Sequence, residues 1–61
     1  MYVVFIRWID NTVDYIRNGT KEFLQDYMKQ ACENDAVKSY KIYKVEECEI
    51  SDMVRNKEKW V

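Results

Sequence analysis

Three glutamates, Glu46, Glu47 and Glu49, lie close together in the sequence. Neighbouring carboxylates can pass protons or hold a divalent cation, but only where they converge in a pocket. On an extended chain Glu47 and Glu49 share a face and Glu46 does not. Acidic side chains are mostly solvated, so a solvated strand end is the better account of the cluster. Two thiols, Cys32 and Cys48, stand in a chain without histidine. No Ser-His or Cys-His nucleophile can form, and the usual tetrahedral zinc sites lack their ligands. The thiols are expected to be free, with Cys32 packed as a small core residue; a disulfide is the alternative. A single glycine leaves no loop to cradle phosphate. These residues therefore imply no catalytic site, no cofactor and no metal.

Lys38, Lys41 and Lys44 recur every third residue, with Tyr40 and Tyr43 between them. Basic and aromatic side chains together can hold single-stranded nucleic acid by phosphate contact and base stacking. Three-residue spacing on a strand alternates faces, however, and lysines on an edge strand also guard against edge-to-edge aggregation. That second account is preferred. The sequon Asn18-Gly19-Thr20 reads as a turn and a helix cap rather than a glycan site.

These side chains need elements to position them. Residues 2–9 and 12–17 are rich in β-branched and aromatic types and predict two strands joined at Asp10-Asn11. A two-residue loop would pair Trp8 with Val13, Arg7 with Asp14 and Ile6 with Tyr15. One face would then carry Tyr2, Val4, Ile6, Trp8, Val13 and Tyr15. The other would carry Val3, Phe5, an Arg7–Asp14 pair and Ile16. A three-residue loop would shift this register. Phe23, Leu24, Tyr27, Met28, Ala31 and Cys32 form a two-column apolar stripe and predict an amphipathic helix over 20–33, capped by Thr20. Phe23, Leu24, Tyr27 and Met28 are expected to pack on Val4, Ile6 and Trp8. Residues 37–50 predict a third strand, with a bulge or an end near Glu46 as alternatives to a regular run, which would place Cys48 beside Tyr40 and Ile42. Ser51-Asp52 could cap a short final helix containing Met53, Val54, Trp60 and Val61, with a frayed tail as the alternative because Arg55 to Lys59 is entirely polar. The fold class is α+β: a ββαβ domain over 1–61, with a three-stranded antiparallel sheet in order 2-1-3 and the long helix on one face.

The chain has 61 residues, 48% of them hydrophobic and 15% aromatic, enough for one small core and little spare stability. Its net charge of −1 shows no basic excess, which argues against nucleic acid as a partner. No run approaches the roughly 18 apolar residues of a membrane span, and nothing resembles an export signal, so a cytoplasmic, non-membrane protein is expected. The most informative feature is apolar excess. One helix covers one face of a three-stranded sheet, leaving Val3, Phe5, Ile16, Tyr43 and Val45 on the other, with Trp60 available to join them. That face is the candidate interaction surface, for a homodimer or a different protein, unless the final helix covers it. The chain is expected to be a non-catalytic protein-binding module. The alternative is a nucleic-acid binder using Lys38, Tyr40, Lys41, Tyr43 and Lys44, and an enzyme or enzyme subunit ranks last. In its general look the chain is similar to many small proteins of bacteriophages and mobile elements, which implies an accessory protein or an inhibitor that docks on a host factor.

Overall fold

The computed structural model describes all of residues 1–61. The elements run β1 (Tyr2–Trp8), β2 (Val13–Asn18), α1 (Lys21–Ala31), β3 (Val37–Lys44), α2 (Glu47–Arg55) and a 3-10 turn (Lys57–Lys59). The sheet is antiparallel throughout, in order β2-β1-β3. The expected small α+β fold is therefore observed, with β1 in the middle. Its position explains its composition, because a central strand is covered on both faces. Val3, Val4, Phe5 and Ile6 are all buried.

The hairpin differs from expectation by one residue. Its loop is Ile9-Asp10-Asn11: the Trp8 carbonyl accepts the Asn11 N–H at 2.9 Å, and the Trp8 N–H donates to the Thr12 carbonyl at 2.9 Å. Asn11 has φ 69°, the left-handed residue that three-residue hairpin loops use. Asp10 closes the loop by accepting from the Thr12 N–H at 3.0 Å and hydroxyl at 2.6 Å. The Lys38 ammonium donates to the Asn11 side-chain oxygen at 3.1 Å. Arg7 consequently pairs with Val13, Phe5 with Tyr15 and Val4 with Ile16. A shift of one residue exchanges the faces of an entire strand. Val13 joins Val3 and Phe5, Ile16 joins Val4 and Ile6, and the expected Arg7–Asp14 pair does not form. Asp14 instead accepts from the Trp8 indole at 2.7 Å.

Helix α1 is shorter than the expected 20–33. Thr20 occupies its N-cap position but leaves the helix amides alone, donating its hydroxyl to the Asn18 side chain at 3.1 Å. Only one column of the apolar stripe is buried. Leu24 and Met28 pack on Val4 and Ile6, with Ala31 half-buried beside them. Phe23, Tyr27 and Cys32 are exposed, so the expected packing holds for half of its members and Cys32 is not a core residue.

The third strand ends at Lys44, close to the earlier of the two expected ends, near Glu46, rather than at residue 50. Glu46 and Glu49 start α2 together: the Glu46 N–H donates to the Glu49 carboxylate at 3.3 Å, and the Glu49 N–H donates to the Glu46 carbonyl at 2.9 Å. The acidic cluster is thus a helix start rather than a strand end. Ser51-Asp52 lies inside α2, and Cys48 sits exposed on that helix instead of beside Tyr40 and Ile42.

The molecule is a three-layer stack of α1, sheet and α2. Its principal extents are 32 × 24 × 10 Å. Two cores result. Val4, Ile6, Leu24 and Met28 lie under α1, and Val3, Phe5, Val13 and Met53 lie under α2.

Leu24→Ala removes the centre of the first core and should cost about 2–5 kcal/mol, most of what so small a domain has. A melt followed by circular dichroism should show the loss; an unchanged midpoint would contradict the packing of α1. The bonds from the Thr12 hydroxyl and N–H hold the Asp10 carboxyl below the ordinary carboxylate range. A carboxyl lowered by folding stabilises above its unfolded value, and that contribution is lost as pH falls through the folded one. Asp10→Asn should therefore flatten the stability decline of wild type on acidification in that range, measured by denaturant midpoints against pH.

Candidate interaction surface

The surface expected from the sequence is covered by the chain itself. Val3 and Phe5 are 0% exposed beneath α2. Ile16 lies on the opposite face, under α1, because of the hairpin register. Tyr43 and Val45 pack against the α2-side core as partly buried members. Trp60 folds back so that its ring meets Tyr43 edge-on at 5.4 Å, and its carbonyl accepts the Tyr43 hydroxyl. A row of rings, Tyr15–Phe5–Tyr43–Trp60, crosses all three strands at centroid spacings of 6.3, 6.0 and 5.4 Å. Arg7 holds the end of the chain against this row, donating to the carbonyls of Glu58 at 3.1 Å and Val61 at 3.2 Å. The six residues do not make one open face.

The lysine strand is likewise divided. Register places Lys41 and Tyr43 on the α2 side, opposite Phe5 and Val3, and Tyr40 and Lys44 on the α1 side, opposite Ile6 and Tyr2. Lys41 lies over the Tyr43 ring at 5.9 Å, a cation–π contact within the chain. Lys38, next to the β-bulge at Arg7/Trp8, is turned toward Asn11. A nucleic-acid strand following β3 would meet these five residues on two faces.

A different grouping emerges on the β2 side. Phe23 is 51% exposed and Tyr27 42% exposed, one helical turn apart on α1. Tyr27 shares a hollow of about 340 Å³ with Trp8, Gln30, Ala31 and Asn34. The Trp8 indole is tied to Asp14 of β2, so the aromatic column overhangs that strand. Tyr15, 41% exposed, flanks the same strand from the other face. Large exposed rings thus bracket one sheet edge above and below. Sequence reasoning placed Phe23 and Tyr27 in the core. The signal against that was the width of the stripe: two adjacent columns are more than a sheet of three strands can cover from one helix.

A second hollow, about 400 Å³, is bounded by Tyr43, Lys44, Val45, Met53 and Trp60, with Glu49, Asp52 and Asn56 at its rim. Both signs of charge line it, so it favours no one class of ligand. No helix of the protein is long and apolar enough to cross a membrane. Comparison with family models, curated proteins and solved structures finds no match for the chain.

Burial of the first-expected surface has a direct consequence. Phe5→Glu would place an unpaired carboxylate between two layers and should cost at least about 3 kcal/mol. Circular dichroism and light scattering together check this: the variant should lose its fold. A folded variant of reduced mass would mean that Phe5 belongs to an interface between subunits.

Proposed function

We propose that this protein is a small, non-catalytic interaction module that docks on a protein partner, a host factor or a second copy of itself, through the β2 side of its sheet. The observation that carries the reading is the placement of Phe23, Tyr27 and Tyr15 as exposed rings around one strand edge. Isolated exposed apolar residues are ordinary, but large rings grouped at an edge are costly to leave in water unless something covers them. Aromatic anchors also supply most of the binding energy in protein interfaces, at small entropic cost. A chain with only such a surface to offer suits an accessory or inhibitory role, in which occupying a partner is the whole activity. The nucleic-acid alternative has less support, since Lys41 and Tyr43 are engaged with each other and Lys38 with Asn11.

The double variant Phe23→Ser/Tyr27→Ser tests the reading. Both side chains are solvent-facing, so its melting midpoint should stay close to wild type. Immobilised wild type should retain a protein partner that the variant binds about tenfold or more weakly. Equal retention by the two proteins would refute the assignment. So would salt-dependent binding of single-stranded oligonucleotides that is lost on Lys41→Gln.

A further inference from the structure

Resting on that reading, we infer that the partner at the β2 edge is a second copy of this chain, joined to it strand to strand in a continuous six-stranded sheet.

Hydrogen bonding in an antiparallel pair alternates along each strand. The Trp8 N–H donates to Thr12, so the bonded pairs are Ile6 with Asp14, Val4 with Ile16 and Tyr2 with Asn18. Bonds from the Ile9 N–H to Ala36 and from the Val45 N–H to Met1 fix the complementary phase on the β3 side. The backbone N–H and C=O groups of Tyr15 and Arg17 therefore point away from β1, at the open edge. A row of unpaired donors and acceptors is a template for another strand. It is also self-complementary, because a twofold axis normal to the sheet sets two copies of β2 antiparallel with their faces matched.

Charge decides between the two edges. Strand β3 carries Lys38, Lys41 and Lys44, and any central twofold pairing crowds six ammonium groups into one seam. Centred on Lys41, such a pairing sets that residue against its own copy and Lys38 against Lys44. Strand β2 carries one Asp14 and one Arg17. Centred on Ile16, its pairing sets Tyr15 opposite Arg17 of the second copy and Asp14 opposite Asn18, with no like charges facing. The Tyr15–Arg17 pairs bring guanidinium groups alongside aromatic rings.

Area points the same way. A stable interface needs about 800 Å² per partner, roughly a fifth of this chain's 4421 Å² surface. A six-residue edge alone falls short. The overhanging Phe23 and Tyr27 of both copies, side by side across the axis, supply the apolar remainder.

Sedimentation across a dilution series, with amide hydrogen exchange at both ends of it, tests the inference. Wild type should show a monomer–dimer equilibrium. The Tyr15 and Arg17 amides should be protected at high concentration and lose that protection on dilution, while Tyr40 and Ile42 on the β3 edge should exchange freely throughout. Tyr15→Pro removes an outward-facing N–H and no bond to β1, a substitution edge strands accept. It should remain folded and raise the dissociation constant about a hundredfold or more. Should that variant unfold, the wild-type exchange pattern decides alone. A wild-type monomer at millimolar concentration overturns the dimer; if a protein partner is still lost on Phe23→Ser/Tyr27→Ser, the docking reading survives. A dimer that protects Tyr40 and Ile42 instead of Tyr15 and Arg17 overturns the inference, and overturns the docking reading too only if Phe23→Ser/Tyr27→Ser retains every protein partner as wild type does.

Discussion

The backbone at Asn11 governs the rest of this structure. One residue in the left-handed conformation gives the hairpin a three-residue loop, and the loop sets the register of β2 against β1. Asparagine tolerates that conformation better than most side chains, and here its side-chain oxygen also receives Lys38 from β3. A strand has a side-chain period of two, so the extra loop residue decides which core each side chain of β2 enters. With the loop as it stands, Val13 can close the α2-side core while Ile16 closes the α1-side one. A loop one residue shorter would send Val13 under α1 and leave Asp14 facing α2.

Strand β1 then serves both cores at once. Val3 and Phe5 point one way, Val4 and Ile6 the other, and no other strand is buried so thoroughly. So thin a protein needs this arrangement, because each helix contributes only two fully or nearly fully buried side chains, Leu24 and Met28 from α1, Ile50 and Met53 from α2. Beyond α2, the final residues are anchored by the Trp60 ring against Tyr43 and by Val61 against the α2-side core. Polar contacts add to that packing: the Arg7 guanidinium donates to the backbone oxygens of Glu58 and Val61, and the Tyr43 hydroxyl donates to the carbonyl of Trp60. Hydrogen bonds from a charged donor are stronger than neutral ones, which suits a segment of five consecutive polar residues, Arg55 to Lys59.

Narrowness has a second effect. A sheet of three strands lies under one helix, and that helix presents an apolar stripe wider than its footing. Leu24 and Met28 take the footing; Phe23 and Tyr27 hang over β2. The same three-strand width leaves both outer strands with open backbone, one lined by lysines and the other by rings. Surface chemistry and fold geometry are therefore not separate features here, since the exposed rings follow from the small number of strands.

Sequence alone determined the element order, the antiparallel sheet 2-1-3 and the amphipathic character of α1. Those follow from local propensity and from periodicity, which act within a few residues and survive errors elsewhere. Local pattern also allowed a final helix beside a frayed tail, but it misplaced the start, because the Glu46–Glu49 bonds form only when the backbone between them is already helical. Register, the covering of Val3 and Phe5, and the exposure of Phe23, Tyr27 and Cys32 belong to the tertiary structure. Two-residue and three-residue loops both suit Asp10-Asn11, and the choice rests on which register fills both cores. Likewise Phe23 and Leu24 read equally apolar in the chain. Only the width of the sheet beneath them separates the residue that is buried from the one that is not, and that width is a sum over strands far apart in sequence.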